Sequence, residues 1–240
     1  MTEINSSQIL LPEGEAHGQL FYILHDESGQ ATNMPFLLGA IRTEFPDAVI
    51  QMATIDPGED MAWLTAQESD PDAQTAAQLA PQLGAGIQAL ERAIRNSQHT
   101  HGVLSEATAV VGVGLAGNLV LGLTLLEEPV AGRLITFGAK FPAYPLELSL
   151  DTTIHLLHAD RDMTVPSSQA REAHDRMAQL QADATIDIAM NSGDSFSEIL
   201  IGKMFERLKT CVPLRYWRYA GEQEREEGEG RKRDSDATLH

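Results

Sequence analysis

TAVVGVGLAGNLVLGL, residues 108–123, joins an apolar run to a glycine-containing turn and then to a second apolar run. The first six residues are almost continuously apolar and rich in valine, which predicts a strand buried on both faces, as in a parallel sheet. Turns between such a strand and a helix commonly present a reactive side chain or bind a charged group. The tip of this turn carries only Gly114 and Leu115, so the stretch predicts a strand–turn–helix unit with no nucleophile at its tip.

Apolar runs and helical patterns alternate on both sides of this unit. Short apolar runs bounded by turn residues predict strands at 18–26, 47–55, 107–114, 132–139, 152–162 (ending in an acidic loop) and 184–190. Helical spacing predicts helices at 34–45, 70–98 with a break near Pro81, 115–128, 167–183 with Ser167 or Ser168 as N-cap, and 195–212. This alternation predicts one α/β domain over residues 1–220, built on a mostly parallel, doubly wound sheet with helices on both faces.

The net charge of the chain argues against two classes of binding partner. Its 240 residues carry a formal net charge of −18, which argues against nucleic acid and anionic membranes, because phosphate binding needs clustered lysine and arginine. No apolar run reaches the roughly 20 residues that span a bilayer, and the N-terminus lacks a signal-peptide pattern. With Cys211 as the single cysteine, we expect a cytoplasmic protein. Residues 221–240, almost without apolar side chains, predict a disordered charged tail.

The glycines of the turn allow a nucleotide-binding interpretation. Gly112, Gly114 and Gly117 form G-x-G-x-x-G between a strand and a helix, the local context of a phosphate-binding turn. The acidic residue that should close the next strand and hold a ribose is missing, since that strand ends in Gly138 and Ala139. A purely structural alternative is that these glycines allow close packing of strand against helix.

The same turn also fits a nucleophile elbow, G-x-S-x-G, with Gly112 as the first glycine, Gly114 at the serine and Ala116 at the last glycine. Other stretches extend this match, in order, over roughly residues 18–220: FYILHD, FPDAVI, AWLTAQE, AVVGVGLAGNLVL, TTIHLLHADRDMTVPSSQA and LKTCVPLRYWRYA. Together they resemble small bacterial carboxylesterases of the phospholipase/carboxylesterase (acyl-protein thioesterase-like) family. The resemblance implies an α/β-hydrolase fold and descent from a carboxylic-ester hydrolase.

The resemblance also implies a catalytic triad, of which one member is kept. The family's nucleophilic serine falls at Gly114, its acid at Asp162 and its histidine base at Asp194 in NSGDSFSE. The resemblance therefore implies a degenerate catalytic site, with two of the three positions substituted.

The oxyanion and pocket positions follow from the same resemblance. The oxyanion loop begins at His25, where the family usually has His-Gly and this chain has His25-Asp26. Leu115 follows the nucleophile position, and Trp63 falls where an aromatic residue helps to line the family's acyl pocket; an ordinary core role for Trp63 is the alternative. Trp217 is expected to anchor the C-terminal segment.

These substitutions predict a protein that hydrolyses esters very weakly or not at all. Gly114 cannot form an acyl-enzyme, Asp194 is a weak base near neutral pH, and Asp26 would oppose the negative charge of an oxyanion. We therefore expect a carboxylesterase homologue, without cofactor or metal, that binds a small acyl or ester ligand or a protein partner. One alternative is an active hydrolase with an unusual catalytic set, in which Asp194 activates water.

Replacement catalysts are the remaining possibilities in the sequence. Ser195, Ser197 and Thr136 carry hydroxyl groups near the site, but none lies on a strained turn, and a cap or solvent contact accounts for each. A zinc or manganese site would need side chains that gather at the carboxyl edge of the sheet. The candidates for it are His25, His158, Asp160, Asp162 and Asp194.

Overall fold

The computed structural model of the chain describes residues 4–14, 17–26, 31–55 and 73–216. Within them, seven strands form one sheet in the order β1-β3-β2-β4-β5-β6-β7. Their bounds are β1 Ile4–Leu10, β2 Gln19–Asp26, β3 Ala48–Ile55, β4 Thr108–Val113, β5 Arg133–Phe137, β6 Thr153–Ala159 and β7 Ala184–Ala189. All neighbours are parallel except β1, which runs antiparallel to β3. The predicted parallel, doubly wound sheet is confirmed.

The helices cover both faces of this sheet, because the strands alternate apolar side chains to either side. Their bounds are α1 Met34–Glu44, α2 Ala73–His101, α3 Leu115–Gly122, α4 Ser167–Gln179 and α5 Glu198–Thr210. On one face, α1 and α5 pack on strand residues such as Ile23 and Val111. On the other, α2 and α3 pack on Tyr22 and Val110. None of the described helices is long and apolar enough to cross a membrane.

Four details differ from the sequence-based predictions. β1 was not predicted, because INSSQIL is polar and exposed along most of its length, as an edge strand can be. α2 continues through Pro81, an exposed position where water can solvate the carbonyl that loses its partner. α3 ends at Gly122 and is followed by a 3-10 turn rather than continuing to residue 128. Ser167 begins α4 after Pro166, and no side chain caps the helix; the Ser167 hydroxyl donates to the carbonyl of Asp160 instead.

The topology gathers one set of loops at the carboxyl edge of the sheet. The segments that follow β2, β4, β5, β6 and β7 all start at this edge, because these strands are parallel. The opposite edge holds the end of the described chain, where the buried guanidinium of Arg215 donates to the carbonyls of Gly132 and Asp151. Trp63, Trp217 and the tail 221–240 lie outside the described residues.

Candidate functional site

Gly114 forms the turn between β4 and α3, and its backbone has the strained geometry of a nucleophile elbow. Its φ is 61° and its ψ is −130°, a conformation that residues with a side chain adopt only under strain. The amide of Gly114 donates to the carbonyl of Phe137, 2.9 Å away, which fixes the turn against β5. A Cβ built on Gly114 would meet only Asp26 Oδ2, at 3.6 Å, so the elbow has room for a small side chain. The turn is present, and the residue at its tip, Gly114, has no side chain.

The two outer glycines of the turn are explained by packing. A Cβ on Gly112 would lie 2.5 Å from Gly117 Cα, and a Cβ on Gly117 would lie 2.7 Å from the side chain of Ala139. Strand and helix therefore approach each other more closely than any side chain permits at these positions. The G-x-G-x-x-G pattern needs no bound phosphate to account for it.

Gly112→Ala should therefore destabilise the protein by about 3 kcal/mol, since the new methyl group meets backbone atoms that cannot move aside. Urea unfolding measures the loss. Gly202→Ala is the matched control: it lies in α5 with no atom within 4 Å of the new Cβ, so it should be neutral or stabilise by about 0.5–1 kcal/mol. Equal stability of Gly112→Ala and the wild type would contradict the packing explanation.

Asp162, which the family resemblance predicts as the acid, lies on the turn after β6. Its Oδ1 accepts hydrogen bonds from the amides of Thr164 at 2.8 Å and Val165 at 3.0 Å, which hold the carboxylate in one orientation. Its Oδ2 accepts a hydrogen bond from the hydroxyl of Ser195 at 2.5 Å. The carboxylate that would orient a histidine in a triad is therefore ordered, and its partner is a hydroxyl.

Asp194, at the predicted base position, lies on the neighbouring loop but makes no hydrogen bond to Asp162. It is exposed, its Oδ1 accepts from the amide of Phe196 at 2.8 Å, and its Oδ2 accepts from Asn33 at 3.5 Å. The next residue, Ser195, makes the contact to Asp162. The structure thus brings the predicted loop to the acid, with residue 195 rather than 194 in contact.

The three hydroxyl groups considered as replacement nucleophiles are buried or already hydrogen-bonded. Ser195 is 6% exposed, and besides donating to Asp162 it accepts from the amide of Ala159 at 2.9 Å. Thr136 is fully buried within β5. Ser197 occupies the N-cap position of α5, and its buried hydroxyl finds no hydrogen-bond partner in the described part of the chain. Ser195 is paired with the Asp162 carboxylate, but it is buried and also accepts from the amide of Ala159, so its oxygen is not presented to a substrate.

Asp26 and His25 close β2 beside the elbow. Asp26 is 7% exposed, and its carboxylate faces the point where a nucleophile's Cβ would stand. The Nδ1–H of His25 donates to the backbone carbonyl of Asp26 at 3.0 Å. The position at which the resembling family has glycine therefore carries a buried acidic group within contact distance of the nucleophile position.

Two residues of the site could not be recognised from the sequence. Gly138, with a φ of 65°, allows the loops after β5, β6 and β7 to meet: a Cβ there would lie 2.8 Å from Ser195 Cβ and 3.0 Å from Asp162 Oδ2. Asn33 precedes α1, and its amide donates to the carbonyl of Phe196 at 2.7 Å. The only signal for Gly138 was a glycine at the end of a predicted strand, and none existed for Asn33, which is 161 residues from Asp194.

The metal alternative finds no support among the described residues. They contain no group of three or more His, Cys, Asp or Glu side chains placed to hold an ion. His158 is buried, and its Nε2–H donates to the carbonyl of Val165. Asp160 accepts hydrogen bonds from the backbone of the loop after β7, chiefly at Asn191 and also at Ser192, and these lower its pKa. His158 and Asp160 thus have structural roles, because each forms a hydrogen bond with the backbone of a loop at this edge.

Known proteins similar to this chain share its fold and its family pattern. The sequence pattern of the family described as Phospholipase/Carboxylesterase matches residues 26–212. Esterase YpfH of Escherichia coli (strain K12) is 25% identical over 203 residues, which cover 83% of this chain and 85% of that protein.

Solved structures agree on the fold. Esterase PE8 superposes with a TM-score of 0.66 at 17% identity, covering 88% of this chain and all of that one. The Bacillus cereus carboxylesterase gives a TM-score of 0.62 at 12% identity, covering 86% of this chain and 92% of that one. A phospholipase/carboxylesterase from Dyadobacter fermentans gives 0.60 at 15% identity, over 85% and 94%. The expected α/β-hydrolase fold is confirmed.

Proposed function

The chain belongs to the phospholipase/carboxylesterase family, and we propose that it is a member that binds a small acyl or ester ligand, or a protein partner covering the same site, without hydrolysing it. The observation that carries the proposal is the elbow itself. Gly114 keeps the strained backbone of the turn but offers no atom that could attack a carbonyl carbon.

A missing base supports the proposal independently. Ester hydrolysis by this route needs a group that takes the nucleophile's proton and is oriented by the acid. In this chain the carboxylate of Asp162 accepts a hydrogen bond from Ser195, and the carboxylate of Asp194 accepts one from the amide of Phe196. Asp194 is exposed and has no hydrogen bond to Asp162, so direct activation of water by an acid-supported Asp194 gains no support from this geometry.

The region of the oxyanion hole supports it as well. An ester carbonyl gains negative charge as it is attacked, and a working site meets that charge with hydrogen-bond donors. Here the carboxylate of Asp26 lies next to the elbow, where its charge would oppose the transition state. Nucleophile, base and oxyanion stabilisation are thus all altered, whereas the fold that encloses the site is retained.

Saturation-transfer NMR with p-nitrophenyl butyrate tests the proposal. We expect transfer from the wild-type protein to the intact ester, with no release of p-nitrophenolate above the buffer rate. Met163→Asp, next to Asp162 at the carboxyl edge, should weaken the transfer, whereas Leu104→Asp, an exposed apolar position four residues before β4 and at the opposite edge of the sheet, should not. Enzymatic release of p-nitrophenolate would overturn the proposal. Absence of saturation transfer would overturn the binding of a small acyl or ester ligand, and only the binding of a protein partner would remain.

A further inference from the structure

The loops that follow β6 and β7 are hydrogen-bonded to each other where they leave the sheet. We call them the β6 loop, residues 160–166, and the β7 loop, residues 190–197. The amide of Arg161 donates to the carbonyl of Ser192 at 2.9 Å, and the amide of Ser192 donates to the carboxylate of Asp160, also at 2.9 Å. The starts of the two loops are therefore held side by side.

Ser195 and Asp162 join the same two loops at a second point. The hydroxyl of Ser195 donates to Asp162 Oδ2 at 2.5 Å and accepts from the amide of Ala159, at the end of β6, at 2.9 Å. Gly138 leaves room for this contact, since a Cβ there would lie 2.8 Å from Ser195 Cβ and 3.0 Å from Asp162 Oδ2. Ser195 is 6% exposed, so water competes little for its hydrogen bonds. The contact is therefore part of the packed interior.

The second contact decides which residue of the β7 loop is paired with the predicted acid. Asp162 Oδ1 accepts from two backbone amides of its own turn, and Oδ2 accepts from Ser195. Asp194, one residue earlier, instead accepts from the amide of Phe196 at 2.8 Å. A base at position 194 would have to replace Ser195 as the partner of the Asp162 carboxylate.

We propose that Ser195 and Asp162 form a clasp that joins the β6 loop to the β7 loop and keeps the predicted acid from pairing with a base at position 194. A hydrogen bond to an ionised carboxylate is roughly twice as strong as one between neutral groups, which suits this role. Asp162 is a positioning residue for the two loops and takes no part in proton transfer. The inference rests on the proposed function, and it names Ser195, besides residues 114 and 194, as a third position that separates this site from a hydrolase.

A double-mutant cycle of Ser195→Ala and Asp162→Ala, followed by urea unfolding of the full chain, tests the clasp. Each substitution should raise the equilibrium constant of unfolding at least about tenfold. The double variant should fall short of the product of the two single effects by at least about tenfold, because the two side chains lose one shared bond. The cycle cancels the loss of the amide bonds of Thr164 and Val165, since that loss occurs with and without Ser195.

The pH dependence of catalysis tests whether the clasp keeps the carboxylate from a base. In a variant carrying Gly114→Ser and Asp194→His, adding Ser195→Ala should raise the plateau kcat/KM for p-nitrophenyl butyrate about tenfold, although it destabilises the protein. It should also move the ascending limb of the pH profile upward by about one pH unit, because a histidine next to a free carboxylate holds its proton more strongly. A purely structural loss would lower kcat/KM and leave the pH profile in place.

Ser197→Ala is the matched control in both experiments. Its hydroxyl lies on the same loop and has no hydrogen-bond partner among the described residues, so its loss should change neither quantity by more than about twofold. Single effects in the unfolding cycle that simply multiply would overturn the inference, as would an unchanged pH profile with kcat/KM unchanged or lowered. Neither result would affect the proposed function, which fails instead if the wild-type protein hydrolyses esters.

Discussion

Gly114→Ser combined with Asp194→His should turn the protein into an esterase, raising kcat/KM for p-nitrophenyl butyrate by about 10³-fold over the wild type. The elbow already holds the backbone turn, with space at the Cβ position, and Asp162 is ordered by the amides of Thr164 and Val165. Serine at 114 supplies a nucleophile, and the longer histidine side chain at 194 supplies a base on the loop beside Asp162, where it has to replace Ser195 as the partner of that carboxylate. A p-nitrophenolate release assay measures the gain.

Single substitutions are the controls for this gain. Gly114→Ser alone lacks a base, and Asp194→His alone lacks a nucleophile, so each should stay within about tenfold of the wild type, because the members of a triad act as a unit. Gly114→Ala with Asp194→His carries the same backbone strain, about 1–3 kcal/mol, without the hydroxyl and should be inactive. Activity in that alanine variant equal to the serine variant would show that the gain does not arise at the elbow.

Asp26→Gly, added to the serine–histidine pair, should raise kcat/KM by a further factor of about 10², with most of the change in kcat. On the proposed function, the carboxylate 3.6 Å from the Cβ position of Gly114 would oppose the developing oxyanion, and the resembling family usually has glycine at this position. The same p-nitrophenolate release assay measures the effect.

Asp26→Asn in the same background distinguishes charge from space. It keeps the size of the side chain and removes the charge, so it should recover most of the gain of Asp26→Gly. Asp175→Asn is the control for net charge and should change nothing, since it lies on α4 and is exposed. No gain from either substitution at residue 26 would mean that Asp26 does not oppose the reaction.

The fold could be predicted because the signals for its strands and helices lie in short stretches of the sequence. Continuously apolar runs such as TAVVGV indicate strands that are buried on both faces. The helical patterns between these runs indicate that helices connect the strands, as in a parallel sheet. β1 gave no such signal, since an edge strand needs no apolar alternation. The predicted cap at Ser167 or Ser168 was wrong because Pro166 occupies the N-cap position and the Ser167 hydroxyl bonds to the loop after β6.

For the candidate site, the sequence allowed a prediction only at individual positions that match the pattern of the resembling family. Gly114 directly follows β4 and Asp162 lies on the turn after β6, and their assignment to the nucleophile and acid positions stays a prediction. The contact of Ser195 with Asp162, the close approach at Gly138 and the link from Asn33 to the loop of residues 194–196 depend on how distant loops meet. Spacing along the chain cannot specify such contacts, because they are set by tertiary packing.

The position of Asp26 shows the same limit. Its residue type was visible in the sequence as an acidic replacement in the oxyanion loop. Its burial and its distance of 3.6 Å from the elbow followed only from the pairing of β2 with β3 and β4. This distance is the observation on which the predictions for Asp26→Gly and Asp26→Asn rest.

Ester hydrolysis by the wild-type protein, compared with Asp162→Asn, tests the central claim most directly. Purified protein would be assayed with p-nitrophenyl esters from acetate to octanoate, because a family member with a working triad depends on its acid. We predict that both proteins release p-nitrophenolate at the buffer rate. Wild-type turnover that Asp162→Asn abolishes would contradict the claim and would mean that a catalytic set other than residues 114 and 194 operates in this fold.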